Sequence, residues 1–398
     1  MTQLAFALSL LLKLFSLWFL VTSLFFWRRR ASYARCLPRM RFACLIAARD
    51  EAAVIGALVA SLRAQRYPAA LFDVYVIPNN CTDDTEDAAR RAGAKIIRCF
   101  DPVRCKGDAL HEAVAWLLPQ RYDAFCVFDA DNVVHPDFLA RMNDALCAGA
   151  RVAKGAMTAK NPCDSWVAGC YALYFAIFDR FYHRSRAYLG LSAKLVGTGF
   201  AVHRDVLVRL GGWNTRTLAE DAEFAAQCAR LGERVFWVPE ALTWDEAPLS
   251  FRVSLRQRLR WCSGILRVAA QEGPALLRAR TLRAADELLL LCAPLAQALS
   301  VVPALLLLPA AVRLGGALLV PAALAFALFW LGMTAFAVVL ARASGAPGRR
   351  LLRSVLLFPL FMASWLPLSL LAVVRPLSRW QPIAHGCALD PALCRPAA

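Results

Sequence analysis

Charge is scarce in this chain. Of its 398 residues 19% are charged and 59% are hydrophobic, whereas an ordinary soluble domain is about a quarter charged and about half apolar. Negative charge is scarcer still: 29 Asp and Glu stand against 46 Lys and Arg, a formal balance of +17. Such hydrophobicity, with no long charge run, excludes a disordered chain. There are five histidines, and they form no metal-ligand spacing. The 14 cysteines include no Cys-x-x-Cys pair. Scattered as Cys36, Cys44, Cys81, Cys99, Cys105 and onward, they read as small buried hydrophobes in a reducing compartment, which excludes a secreted, disulfide-stapled scaffold. Also missing are the phosphate loop Gly-x-x-x-x-Gly-Lys-Ser/Thr, the dinucleotide fingerprint Gly-x-Gly-x-x-Gly and the zinc motif His-Glu-x-x-His.

What is present is long apolar runs around a stretch of soluble composition. Leu4 to Trp27 is almost wholly apolar, with Lys13 its one charged residue, long enough for a hydrocarbon core about 30 Å thick. Arg28, Arg29 and Arg30 follow it, so the positive-inside rule places the N-terminus outside and the next segment in the cytoplasm. Residues 1–30 thus read as an anchor. Residues 41–249 read as a cytoplasmic domain with strands at Phe42–Ala47, Val74–Pro78, Lys95–Arg98 and Asp123–Asp129. Val54, Ile55, Leu58, Val59 and Leu62 make one helical face between the first two, and another helix runs from Gly107 to Leu118. Strand–helix alternation implies an α/β fold with a doubly wound, mostly parallel sheet, whose ligands gather beyond the strands' carboxyl ends.

Residues 250–285 read as basic interfacial helices, with Arg256, Arg258, Arg260, Arg267, Arg278 and Arg280 among apolar residues. Such clusters are drawn to an anionic inner leaflet, and solvated helix arginines account equally for about half of them. Because they crowd beside membrane segments, nucleic-acid binding is a poor account of the positive balance. Within 286–375, Leu288–Val312 and Ala317–Ala341 read as spans. Ser354–Val374, with Pro359 and Pro367, reads as a third span or as a segment lying along the inner interface. The second alternative arises because Arg342, Arg349, Arg350 and Arg353 place the preceding loop in the cytoplasm, and Arg375 and Arg379 follow the segment. Residues 376–398 form a tail.

Four clusters carry candidate chemistry. Asp129-Ala130-Asp131 ends an apolar strand, and two carboxylates at i, i+2 can share Mg²⁺ or Mn²⁺ with a phosphate. Glu220-Asp221-Ala222-Glu223 offers a general base, or simply an acidic helix N-terminus. Gln257-Arg258-Leu259-Arg260-Trp261 offers a phosphate clamp beside a face for sugar stacking, or an amphipathic interfacial helix. Asn79-Asn80-Cys81-Thr82-Asp83-Asp84-Thr85 suits base and ribose recognition, or an Asx-rich turn capping the next helix.

In this order, with Ala47-Ala48-Arg49-Asp50-Glu51 and Lys106-Gly107, the clusters resemble the family 2 glycosyltransferases from Phe42 to Gln271. The likeness is to the membrane-bound branch holding cellulose, hyaluronan and poly-N-acetylglucosamine synthases and ceramide glucosyltransferase. The resemblance implies a GT-A-like nucleotide-sugar domain flanked by transmembrane helices. It implies that Ala47 to Glu51 line the nucleotide pocket and that Asn79, where the family usually has Asp, meets the base. Lys106 would lie near the donor diphosphate, with Asp129 and Asp131 on the metal. Gly199, in Gly197-Thr198-Gly199-Phe200, would border sugar and acceptor. Glu220 and Asp221 match Thr-Glu-Asp with Ala219 in place of Thr, and make Asp221 the base. Gln257, Arg260 and Trp261 match Gln-x-x-Arg-Trp, with Arg260 on the diphosphate and Trp261 as the acceptor floor.

The activity so implied is inverting, Mg²⁺- or Mn²⁺-dependent transfer of a glucose- or N-acetylglucosamine-type sugar. The donor is a nucleotide diphosphate sugar, UDP-linked by the resemblance, and the acceptor a growing polysaccharide or a lipid at the inner leaflet. Three or four spans give little material for a polysaccharide channel, so a polymer would need an oligomer or an export partner. The alternatives are a single-transfer enzyme acting on a ceramide- or polyprenyl-type lipid and a non-catalytic membrane protein with a decayed nucleotide domain. Asn79 and Ala219 are the only support for the last.

Overall fold

A computed structural model describes residues 2–29, 31–343, 349–377 and 385–386. Arg30, Arg379 and most of the 376–398 tail lie outside the described residues. Eight strands, β1 (Phe42–Ala48), β2 (Phe72–Pro78), β3 (Lys95–Ile96), β4 (Ala124–Asp129), β5 (Val133–Val134), β6 (Val152–Ala159), β7 (Phe200–His203) and β8 (Val235–Asp245), form one sheet. Its order is β3-β2-β1-β4-β7-β6-β8-β5. The pairs β3–β2, β2–β1, β1–β4 and β6–β8 are parallel, and β4–β7, β7–β6 and β8–β5 are antiparallel.

The helices are α1 (Thr2–Ser23), α2 (Ile55–Arg63), α3 (Thr85–Arg91), α4 (Lys106–Leu117), α5 (Phe138–Cys147), α6 (Trp166–Ile177), α7 (Arg184–Leu189), α8 (Arg204–Leu210), α9 (Glu220–Arg230), α10 (Phe251–Ala279), α11 (Leu282–Leu291), α12 (Ala293–Leu299), α13 (Val301–Leu314), α14 (Leu319–Ala343), α15 (Leu352–Ala363) and α16 (Trp365–Val374). A π-helical turn, Phe178–His183, joins α6 to α7.

The apolar runs of β1 and β4 follow from helices covering both sheet faces. Alternation decides the face: Phe42, Cys44 and Ile46 meet Leu58, Leu62 and Phe138, while Ala43 and Leu45 meet Leu110, Val114 and Phe224. The chain builds outward from β1 in opposite directions to β2 and β4, a switch point of the kind that opens a crevice at the strands' carboxyl ends.

Among the described residues three helices are long and apolar enough to cross a membrane: Gln3–Ser23, Gly315–Arg342 and Leu352–Val374. The expected straight span Leu288–Val312 is broken instead. Leu282–Leu291 and Ala293–Pro309 meet at 50° and together make a fourth candidate, with Pro294 in the first turn after the break because proline cannot donate to the preceding turn. The basic stretch is mainly one helix, α10, and Arg258 within it is fully buried rather than solvated. Helix α1 is tied to the rest by Trp18, whose Nε1 donates to Asp286 Oδ1 at 2.8 Å. Arg186 Nη2 donates to the same oxygen at 2.6 Å.

Candidate active site

The crevice at the switch point opens into a cavity of about 750 Å³. Ala47, Glu51, Asn79, Lys106, Asp129, Asp131, Glu220, Asp221, Gln257, Arg260 and Trp261 all line it. Gly199 lies behind that wall. Its φ of +64° and the approach of Thr243 Oγ1, 2.8 Å from where a Cβ would stand, require glycine.

Lys106 begins α4 because Cys105 ahead of it is extended, which aims the ammonium at the end of β4. It donates to Asp129 Oδ1 at 2.5 Å and to the Gly197 carbonyl, and lies 3.3 Å from Glu220 Oε1. Burial disfavours the ammonium, but Asp129 and Glu220 outweigh it and raise its pKa. A Cβ on Gly197 would stand 3.1 Å from Asp129 Oδ2 and 3.5 Å from Glu220 Oε1 and Lys106 Nζ, so a bare backbone lets the three charges meet.

Asp131 is buried, and Lys160 Nζ donates to its carbonyl at 2.9 Å. Burial pushes its carboxyl up to about 6, against the pull of His385. His385 is one of the cavity residues that the sequence left unmarked. Its Nδ1 lies 2.9 Å from Glu51 Oε2 and its Nε2 3.6 Å from Asp131 Oδ2, while Gly386 N donates to Glu246 Oε1 at 3.0 Å. Burial opposes its charge, but Glu51 and Asp131 raise it to about 9. Asn79 Nδ2 donates to the carbonyls of Ala48 at 3.1 Å and Ile77 at 3.2 Å, fixing the amide where β1 and β2 end.

Glu220 and Asp221 open α9, whose first turn packs on α10: a Cβ on Gly264 would stand 2.8 Å from that of Ala219. The small residue replacing Thr in the motif therefore lies at a close helix approach. Burial lifts Glu220 to about 7, against Lys106, and also raises Asp221. Asp221 Oδ1 accepts from Ala222 N at 2.8 Å. On α10, Gln257 Oε1 accepts from Tyr171 Oη at 2.8 Å, and the Trp261 ring stacks with Trp365 at 6.4 Å.

The cavity also takes in Lys154, Asp179, His183, Lys194 and Asp245, which no motif marked. Lys154 is fully buried in β6, and burial pushes it down to about 8. A lysine inside an otherwise apolar strand was the one signal the sequence offered.

Residues 124–389, more than half of the chain, match the family model for glycosyl transferase family group 2. The chain belongs to that family. As a glycosyltransferase it is 28% identical over 269 residues to the probable glycosyltransferase YdaM of Bacillus subtilis (strain 168), covering 60% of each chain. It is 28% identical over 240 residues to the beta-monoglucosyldiacylglycerol synthase of Synechocystis sp. (strain ATCC 27184 / PCC 6803 / Kazusa), covering 58% of this chain and 49% of that one. The glycosyltransferase thus spans about half to three-fifths of the length of the curated relatives it matches. Its fold is shared with the mannosyltransferase PcManGT from Pyrobaculum calidifontis, solved in complex with GDP-Man and Mn2+. The TM-score is 0.62 at 21% identity, over 86% of this chain and 98% of that one.

Proposed function

We propose that the chain transfers a hexosyl group from a nucleotide diphosphate sugar to an acceptor hydroxyl at the inner face of a membrane, with inversion at the anomeric carbon. The observation that carries this reading is the convergence of Lys106, Asp129, Asp131, Glu220 and Asp221 with Gln257, Arg260 and Trp261 on one cavity. PcManGT, a solved protein of this fold, carries GDP-Man and Mn2+, in keeping with such a donor.

Asp129 and Asp131 supply the hard carboxylate oxygens that a divalent cation takes, while His385 sits between Glu51 and Asp131 as their charge partner. Asp129 and Asp131 would hold Mg²⁺ or Mn²⁺, which would neutralise charge on the departing diphosphate. Lys106 and Arg260 add fixed positive charge where that negative charge develops. Asn79, its Nδ2 committed to the backbone, presents the amide oxygen to the base of the nucleotide, UDP-type by the family pattern.

Asp221 takes the acceptor proton. Glu220 is held by Lys106 at 3.3 Å, whereas Asp221 is ion-paired with no group among the described residues, and burial raises its pKa above that of an ordinary aspartate. The acceptor oxygen bonds to the anomeric carbon as the bond to the diphosphate breaks on the opposite face. One displacement inverts the centre and leaves no sugar on the protein. Arg28 and Arg29 after α1, with Arg342, Arg349, Arg350 and Arg353, support a cytoplasmic side for the domain at 41–249. The anchor at 1–30 and the segments after 286 hold it there.

Nucleotide release from UDP-glucose, UDP-N-acetylglucosamine, UDP-galactose and GDP-mannose tests the reading with purified chain and Mn²⁺. Asp221→Asn should lower turnover by about 10²–10⁴-fold with donor affinity, measured calorimetrically, unchanged. Donor affinity falling in step with turnover would remove Asp221 from the role of base.

A further inference from the structure

The cavity does not end at the catalytic carboxylates. Past Trp261 it runs on between Leu12 and Phe15 of α1, Leu290 of α11, Pro294 of α12 and Trp365 of α16, all in helices apolar enough to lie in a membrane. Resting on the glycosyl-transfer reading, we propose that the acceptor is a membrane lipid with a hydroxyl headgroup. Its apolar chain lies in this chamber, and its head is held beside Asp221 by His183, Lys194 and Gln297.

Three features mark the neck as a polar ligand site. His183, on the π-helical turn, is 4% exposed, and its Nε2 is buried with no partner among the described residues. Its Nδ1 is committed to Asp179 Oδ1 at 3.2 Å. Single π-helical turns commonly mark functional sites. Gln297 Oε1 accepts from Ser369 Oγ at 2.8 Å, which orients the amide and leaves its NH₂ as a donor. Lys194 Nζ sits 4.8 Å from the centre of the Phe178 ring and makes no ion pair among the described residues; burial lowers its pKa against the pull of Asp221.

Polar groups at one end and an apolar chamber at the other suit an amphiphile. A sugar polymer pushed past Trp261 would run along Leu12, Phe15, Leu290 and Pro294, where Ser16 and Ser300 are too few to bond its many hydroxyls, and leaving those bonds unmade is costly. Leu12 and Phe15 are part-exposed, so the chamber opens sideways, where a lipid enters and its glycoside leaves after one transfer.

The test uses the full chain in phosphatidylcholine nanodiscs, alone or with dioleoylglycerol, ceramide or phosphatidylglycerol, and whichever radiolabelled donor of the panel releases nucleotide. One of the three lipids should raise nucleotide release about tenfold and carry the label into the organic phase as one hexose per lipid by mass spectrometry. Label in a water-soluble polymer, or nucleotide release that none of the lipids changes, would overturn the lipid acceptor while leaving sugar transfer standing. No release from any donor would overturn sugar transfer itself. Leu12→Trp, which fills the chamber, and His183→Phe should each raise the lipid KM about tenfold and the donor KM far less. Leu11→Trp, on the exposed face of the same helix, should leave both unchanged. A lipid KM unaffected by Leu12→Trp would refute the chamber.

Discussion

Arg258 stands inside the Gln-x-x-Arg-Trp motif and does something different from its neighbours. It is fully buried, with no carboxylate partner among the described residues. Its Nη1 donates to the Phe361 carbonyl at 3.0 Å and to Ser364 Oγ at 2.8 Å, and its guanidinium lies 4.1 Å from the Phe361 ring centre. These acceptors sit where α15 gives way to α16, so the arginine satisfies a carbonyl that a helix break releases. Arg258→Met keeps the bulk and removes the donors. It should cost about 1–3 kcal/mol, read as a lower unfolding midpoint in detergent. A second prediction concerns Asp221. Burial raises its pKa above the ordinary 3.8, and only the ionised form accepts a proton. Turnover should therefore fall as pH drops through that raised value, so the acidic limb of the kcat profile lies above that of an exposed aspartate. A limb near pH 3.8, from stopped-flow nucleotide release, would contradict this. Asp129, Asp131, Lys106 and Asp221 each sit in a local pattern at a strand end or helix start, which is why the sequence marked them, and all four line the one cavity. His385 went unmarked, because it pairs with Glu51 across 334 residues and no local spacing encodes such a contact. Arg258 was grouped with the other basic residues, because its burial depends on α15 and α16, which no local pattern reveals.

At the scale of elements, the central strands follow their apolar runs, and β1 and β4 lie within a residue of the segments read from sequence. The break at Cys292 escaped because hydropathy counts apolar residues and carries nothing about axis direction; Pro294 was the available hint. Helix α1 shows how a largely exposed apolar helix keeps its place. Arg186, 1% exposed, and Asp286, 3% exposed, form a pair that also holds Trp18. Removing one member of a buried pair strands the other charge, at about 3–5 kcal/mol. Asp286→Leu should destabilise by that amount, and Arg186→Met with Asp286→Leu should recover part of it. A double variant no more stable than Asp286→Leu would show that the pair contributes no such coupling.

For the whole molecule, the sidedness read from Arg28, Arg29 and the 342–353 arginines predicts that trypsin cuts residues 41–249 in inverted vesicles and spares them in right-side-out ones. Cleavage in both, with sealed vesicles verified, would refute it. The sheet's second half, with β7 antiparallel between β4 and β6, was harder to foresee than its first, since helix alternation in sequence speaks only for parallel crossovers. The cavity draws its walls from the sheet domain and from α1, α12 and α16 alike. A trimmed, water-soluble version cut at the ends of the sheet domain would thus keep its donor half and lose the lining opposite it. Such a fragment should bind nucleotide yet waste the sugar on water, and its inactivity toward acceptors would say nothing against the intact enzyme.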